Sequence, residues 1–314
     1  MKKRRKGGLG GKLKPPFLYL AMGWEEQLIQ YLITGITNGA IYALIALGFT
    51  IIYNSTEIIN FAQGEFVMLG GMLAVTFLNW LGLPLWLAVL FAVVLTTVIG
   101  LVFERFGIKP VRQPSVINLI IITIGGSILL KGIAMVIWGK DAHPFPAFSG
   151  SSSLHILGAS ITPQSLWVLG GTLLAVVGLE LFYKFTITGK ALRACAFNPS
   201  SAQLCGISVE KMMLFSFGLS AGLGALAGVL VAPITYTAYD IGTMLGLKGF
   251  CAAILGGLGS NLGAVLGGVL IGLAESLSSG YISSGYKDAV AFLILLLILY
   301  LRPAGILGKR VEKV

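Results

Sequence analysis

The sequence predicts an all-α, polytopic transmembrane helical bundle of about eight hydrophobic segments, with at least one helix broken or re-entrant. Three observations carry that prediction. The 314-residue chain is 56% hydrophobic and only 11% charged, whereas a soluble domain carries about 25% charged residues to cover its surface in water. Its mean hydropathy is +0.91. Apolar runs of the ~17–25 residues needed to span a ~30 Å hydrocarbon core recur along its length. These features exclude soluble enzymes, nucleic-acid binders and disordered chains as classes.

Taken in order, the apolar segments are 28–53, 62–83, 84–103, 116–139, 165–183, 212–235, 247–276 and 288–301. The seventh is long and broken by glycine, which predicts two short crossings or a bent hairpin. The polar connections are 54–61, 104–115, 140–164, 184–211, 236–246 and 277–287. None is large enough for a separate domain. The chain therefore divides into a flexible basic extension at 1–26 and a single transmembrane domain at 27–314.

The net charge of +10 is explained by topology rather than by nucleic acid. Seven basic residues fall within the first 14 positions (Lys2, Lys3, Arg4, Arg5, Lys6, Lys12 and Lys14). Such a cluster also suits anionic lipid, at ~1 kcal/mol per residue near the surface. Phe17–Met22 is too short for the apolar core of a signal peptide. Translocating Lys and Arg is disfavoured, so basic loops mark the cytoplasmic side. Loops 104–115 (Arg105, Lys109, Arg112) and 184–211 (Lys184, Lys190, Arg193, Lys211) read as cytoplasmic, as does the tail (Arg302, Lys309, Arg310, Lys313). Loop 140–164 has one base, Lys140, and reads as external. Three crossings then separate the basic start from loop 104–115, where an even number is needed. Either the start lies outside against its charge, or a segment near 54–83 is broken or re-entrant. The second is favoured.

Glycine, 43 of 314 residues, is nearly twice as frequent as the usual ~7%. Gly218 with Gly222, Gly224 with Gly228, Gly259 with Gly263 and Gly267, and Gly268 with Gly272 are spaced four apart. Small residues one turn apart let helix backbones approach closely where lipid supplies no hydrophobic drive. This pattern predicts tight packing and says nothing of cargo.

No enzymatic chemistry is encoded. Gly-Lys occurs at 11–12, 139–140, 189–190 and 308–309 without a following Ser or Thr, so no phosphate-cradling loop exists. Cys195, Cys205 and Cys251, with His143 and His155, lack the spacing of a zinc site or disulfide framework. No metal and no cofactor is expected on this chain.

Two segments break the apolar pattern. Asn54–Glu65 joins two hydrophobic stretches, and Gly64 permits a backbone break there. Polar helix ends at membrane depth survive only where they line protein or water. A lining role turns Asn60 and Glu65 towards an aqueous cavity, whereas a plain interfacial loop leaves them at the surface. In 184–211 the pattern predicts a short helix from Gly189 to Phe197, stopped by Asn198-Pro199, and another from Ser200 to Leu204, ended by Gly206. Mixing Arg193 with Leu192, Ala194 and Leu204 suits docking to another protein, or resting on lipid headgroups. Of the isolated charges, Lys131 either snorkels or points inward, Glu180 and Lys184 are spaced to pair, and Glu275 and Asp240 mark segment ends.

At these segments the chain resembles the permease subunits of branched-chain amino acid ABC importers, the LivH-like family. The matching stretches are Asn38-Gly-Ala-Ile-Tyr-Ala-Leu-Ile-Ala-Leu-Gly48, Ile59-Asn-Phe-Ala-Gln-Gly-Glu65, Gly189-Lys-Ala-Leu-Arg-Ala to Gly206-Ile, Gly246 to Ser260, and Arg302-Pro-Ala-Gly-Ile-Leu-Gly308. They run in family order over roughly residues 27–314. The resemblance implies a permease in the bacterial inner membrane, paired with a second permease subunit, two cytoplasmic ATPase subunits that use ATP and Mg, and an extracytoplasmic substrate-binding protein. It implies a translocation path through Asn38, Asn60, Phe61, Gly64, Glu65, Gly256, Gly257, Gly259 and Ser260. It also implies an ATPase-coupling loop carrying Gly189, Lys190, Arg193, Asn198, Pro199, Gly206 and Ile207. Gln63 stands where the family usually has His, which weakens a proton-linked role. The family usually lacks residues 1–24. Readings that differ in cargo or energy source are an ABC permease for sugars or amides such as urea, an ATP-independent channel or secondary transporter, and a membrane scaffold.

Overall fold

The computed structural model describes residues 23–111, 115–150, 152–156 and 158–308. Nearly all of the basic start and the bases Arg112, Lys309, Arg310 and Lys313 lie outside the described residues. Eleven α-helices are described: α1 (Trp24–Thr56), α2 (Gln63–Val75), α3 (Leu85–Phe103), α4 (Val116–Trp138), α5 (Pro163–Phe185), α6 (Ile187–Phe197), α7 (Pro199–Leu204), α8 (Val209–Thr235), α9 (Ile241–Gly256), α10 (Asn261–Tyr281) and α11 (Lys287–Leu301). A two-stranded antiparallel hairpin, β1 (Leu154–Ile156) and β2 (Ala159–Ile161), pairs Leu154 with Ile161 in the loop after α4. Among the described residues seven helices are long and apolar enough to cross a membrane, and α9 is apolar but shorter.

Helix starts follow local chemistry. The side chains of Ser115, Thr162, Thr186, Asn198 and Ser260 each accept a hydrogen bond from a first-turn backbone N–H, satisfying donors that a helix leaves open. The expected helices in 184–211 are present as α6 and α7. Asn198 ends one and caps the next, and Gly206 turns the chain away at φ +81°.

α1 is the central element. It packs on α10, α8, α9 and α5, and its second half is almost wholly buried. Its contact with α10 runs through glycine. A Cβ at Gly39 would stand 2.7 Å from Val269 Cα, and one at Gly35 would stand 2.9 Å from Leu273 Cα. On the facing helix, Gly272 lies against Gly39 and Gly268 against Ala43. By contrast α4, α5 and α11 turn broad apolar faces outward, with Val136, Leu174 and Leu297 all exposed, as helices facing lipid or a partner must.

Two helices start inside the bundle. α1 ends at Glu57 in the left-handed conformation. The chain then doubles back, and Gln63 at the start of α2 lies against Gly48, eight residues, or about 12 Å, before the end of α1. α2 runs on through a π-helical turn at Thr76–Trp80. The apolar stretch 247–276 resolves into a helical hairpin, α9 and α10, and the expected loop 236–246 is shortened because α9 already begins at Ile241. α9 likewise starts at depth: Gly242 and Gly246 lie against Gly64.

The break at 57–62 does not resolve the crossing count as the sequence suggested. Gln30 hydrogen-bonds both ways to the backbone of Ser160, at 3.2 and 2.8 Å, and Tyr31 meets Tyr281 edge-on. The start of α1 is therefore at the same end of the bundle as the hairpin loop. Its other terminus is held at the α9–α10 turn, where Asn54 Nδ2 donates to Gly259 O at 3.3 Å. The segment is broken, and the described N-terminal end still lies opposite 104–115, because α2 completes its outward course despite starting halfway. Residues 24–26, expected in the extension, are helical.

Two further expectations are corrected. Glu180 pairs with Arg193 at 2.9 Å rather than with Lys184, because α6 folds back along the last turns of α5. Glu275 is no segment end. It lies 5% exposed within α10, bonded to Lys248 Nζ at 2.8 Å and to the Tyr42 hydroxyl at 2.6 Å. Lys248 also contacts Asp288 at 2.6 Å, so α1, α9, α10 and α11 meet at one charged cluster. Asp240 does precede a helix start, that of α9.

Candidate functional site: a cavity at the paired half-helix starts

The connection 57–62 is held at depth by its own polar groups. Asn60 Oδ1 accepts from Ala62 N at 3.1 Å, and Phe61 N donates to Thr123 Oγ1 of α4 at 3.2 Å. Gly64 lets α2 cross α9 backbone to backbone, since a Cβ there would run into the Gly242 carbonyl. The first turns of α2 and α9 therefore come together inside the bundle.

At that crossing lies a cavity of about 150 Å³. Its aromatic wall is Phe49, Phe61 and Phe250, with Phe250 5.7 Å from Phe49 and 5.8 Å from Phe61 between ring centroids. Ile124 and Ile128 of α4 and Leu247 of α9 add aliphatic surface. Its polar lining is Glu65, Ser127 and Thr243. Glu65 is 1% exposed. Its Oε1 accepts from Ser127 Oγ at 3.0 Å and, at longer range, from Thr243 Oγ1 at 3.5 Å. Its Oε2 has no hydrogen-bond partner among the described residues. Standing in the first turn of α2, the carboxylate is favoured there by the positive end of the helix dipole. Lys131 points inward, resolving the choice the sequence left open. Its Nζ donates to Thr243 Oγ1 at 3.3 Å and stands 5.8 Å from the Tyr239 ring centroid.

The structure gathers Phe61, Gly64 and Glu65 at this cavity and leaves the other expected path residues elsewhere. Asn60 is fully buried beneath it. Asn38 is partly buried on α1, 11 residues or about 16 Å before Phe49. Gly256, Gly257, Gly259 and Ser260 form the α9–α10 turn, about 20 Å along α9 from Thr243. Their geometry there is that of a joint. Gly257 and Gly259 take φ of +102° and +93°. Ser260 Oγ accepts from Gly263 N at 3.1 Å. The segment 304–308 closes over the end of α9, with Ile306 N and Leu307 N donating to Leu255 O and Gly256 O at 2.9 Å. Gln63 faces away from the cavity, fully buried and bonded to Ser220.

Sequence reasoning missed Ser127, Thr243, Phe49 and Phe250. Phe49, Ser127 and Phe250 lie within apolar runs and Thr243 in what reads as the polar connection 236–246, and only the start of α9 at Ile241 inside the bundle brings them to Glu65.

A second surface lies at the far end of the bundle. α6 buries Gly189, Leu192 and Cys195, a stripe spaced three residues apart. Burial raises the Cys195 thiol above its ordinary range. Lys190, Arg193, Asn198, Pro199 and Gly206 are exposed, and Ile207 packs against the core. Ile187, Phe197 and Leu204 are 88%, 88% and 91% exposed, more bare apolar surface than so short a segment would carry unpartnered.

Comparison with known proteins places these features in context. A family model described as branched-chain amino acid transport system, permease component, matches residues 31–299. The chain is 37% identical over 303 residues to the high-affinity branched-chain amino acid transport system permease protein LivH of Salmonella typhimurium, covering 91% of this chain and 97% of the relative. It is also 37% identical to the corresponding permease protein BraD of Pseudomonas aeruginosa, covering 91% and 98%. A probable branched-chain amino acid transport permease protein LivH of Methanocaldococcus jannaschii is 33% identical, covering 84% and 88%.

Proposed function

Because the chain belongs to the branched-chain amino acid transport system permease family, we propose that it is a transmembrane permease subunit of an ATP-driven importer for leucine, isoleucine and valine. In this reading it forms half of a translocation pathway with a second permease subunit. Two cytoplasmic ATPases supply the work, and an extracytoplasmic binding protein supplies most of the selectivity. The observation that carries the reading is the near end-to-end match to relatives whose names state this transport. Charge supports the orientation: Arg105, Lys109, Lys184, Lys190, Arg193, Lys211 and Arg302 lie at the α6–α7 end, which makes that end, and the C-terminal segment, cytoplasmic.

α6 and α7 then dock into the ATPase. Exposed Phe197 and Arg193, one turn apart on α6, match the enrichment of aromatic residues and Arg at protein interfaces. The helices' buried stripe ties them to the bundle, so that ATPase closure moves α5, α1 and α8. ATP binding and hydrolysis thereby alternate which end of the bundle is open. The chain holds neither nucleotide nor metal in this scheme.

The test is uptake of labelled leucine by proteoliposomes containing the chain with its partner subunits and binding protein. Uptake should require ATP. Arg193→Glu combined with Gly206→Trp should reduce it by about tenfold or more, as expected for losing an interface centre of ~1.4 kcal/mol or more, while the protein still inserts. Uptake surviving ATP depletion would instead indicate a channel or secondary transporter. Normal uptake by the double variant would remove the docking assignment.

A further inference from the structure

The bundle carries its own depth marks. Trp24, Trp80, Trp86, Trp138 and Trp167, all the tryptophans of the chain, stand at or near helix ends on the side of the hairpin loop, and indole rings favour a membrane interface. From Trp167 to Lys184 along α5 is about 26 Å, close to the ~30 Å of a hydrocarbon core. Lys184 therefore stands at the headgroup level of the opposite leaflet. Beside it the surface is hollow. A groove of about 250 Å³ runs between α5 and α10. Its floor is Leu47 of α1, and its walls are Val176, Val177 and Leu181 of α5 and Leu262 of α10, with Val177, Leu181 and Leu262 exposed. Val177, Leu181 and Lys184 share one face of α5, at i, i+4 and i+7, so the lysine sits at the mouth of the groove. Glu180 also lines the groove, but Arg193 pairs with it at 2.9 Å. Lys184 has no acidic partner among the described residues. Asn261 and Leu262 open α10, which turns the positive end of that helix dipole to the same mouth.

From this arrangement we propose that the α5–α10 groove binds an anionic phospholipid of the leaflet at the α6–α7 end, the cytoplasmic one in the orientation given above. The phosphate lies between Lys184 and the start of α10, and the first stretch of one acyl chain fills the groove over Leu47. The groove divides as a lipid divides, with positive charge at the interface and aliphatic walls beneath it. A helix of a partner does not enter, since it takes roughly 400 Å³ per turn at ~10 Å diameter, whereas one extended hydrocarbon chain does. A zwitterionic headgroup gains less than an anionic one, because the Glu180 carboxylate that would take its ammonium is already held by Arg193.

The test is native mass spectrometry of the full-length chain, stripped of lipid in detergent and titrated with phosphatidylglycerol or phosphatidylcholine. The parent should take up its first phosphatidylglycerol about fivefold more tightly than phosphatidylcholine, the effect of one basic residue near an anionic surface. Lys184→Gln, a change on the exposed surface, should bring the two lipids level. Lys140→Gln, which removes the same charge at the other end of the bundle, should leave the preference intact. Val176→Phe with Val177→Phe, which fills the groove, should weaken both lipids alike. Equal uptake of the two lipids by the parent would overturn the site, as would equal effects of the two lysine changes or undiminished binding by the filled groove. Phosphatidylglycerol held by the chain alone but excluded once a second permease subunit is bound would also overturn it, and would give the groove to that subunit.

Discussion

Lys248 faces two carboxylates, Glu275 and Asp288, and the hydroxyl of Tyr42, and it is 6% exposed in the interior of the bundle. Removing the cation would leave two acidic groups with no counter-charge, and breaking a buried pair in this way costs about 3–5 kcal/mol. Lys248→Met should therefore lower the thermal unfolding midpoint of the purified protein in detergent. Adding Glu275→Gln and Asp288→Asn to that variant should recover part of the loss, because replacing a whole buried ionic group is far milder than orphaning its members. A Lys248→Met midpoint equal to the parent's would show that the cluster contributes nothing to stability. Sequence reading missed this cluster for a physical reason. Lys248 and Glu275 each stand alone in an apolar run, and the hairpin that sets α9 against α10 is what makes them partners. The same holds at the cavity. Glu65 was legible because it interrupts an apolar pattern beside Gly64, whereas Thr243 and Phe250 are ordinary helix residues until α9 is known to begin at depth.

Among the elements, packing depends on which glycines face a neighbour. A Cβ at Gly39 would press on the backbone of α10 at Val269 and Gly268, and backbone cannot rotate aside as a side chain can. Gly178 on α5 has nothing within 4 Å of the same built atom. Gly39→Leu should force α1 from α10 and sharply reduce the fraction recovered as a monodisperse peak in size exclusion. Gly178→Leu should leave that fraction within about twofold, since exposed changes away from such contacts shift stability by about 0.5 kcal/mol or less. Equal recovery of the two would mean that α1 and α10 are not held at glycine distance. The helical segments and the glycine spacing were readable in the sequence, because a bilayer demands long apolar runs and small residues at close crossings. α6 and α7 were equally readable, since Asn198-Pro199 and Gly206 impose their boundaries locally. The path assigned to Gly256–Ser260 was not separable from a turn. Positive-φ glycines serve a close hinge and an open passage alike; here they form the α9–α10 turn, covered by the strap at 304–308.

For the molecule as a whole, the decisive fact is which ends share a side. The start of α1 is tied to the hairpin loop through Gln30 and Ser160, while α6, α7 and the α9–α10 turn lie at the opposite end. A broken α2 does not change this. A half-helix that starts inside the bundle and leaves by the far end relocates the chain as fully as an unbroken crossing, so the number of sides visited is unaltered. Positive charge was a poor guide at the front: it called for an even number of crossings before 104–115, whereas α1, the broken α2 and α3 carry the chain across three times. Cys205 is exposed on the α6–α7 side, while Cys195 and Cys251 are buried, so the native chain carries its own reporter of sidedness. A membrane-impermeant maleimide should label Cys205 only from the cytoplasmic face. In a Cys205→Ser background, Glu26→Cys should be labelled only from the opposite face. Labelling of both positions from one face would contradict the opposed ends of α1, and with them the halfway start of α2 on which the cavity depends.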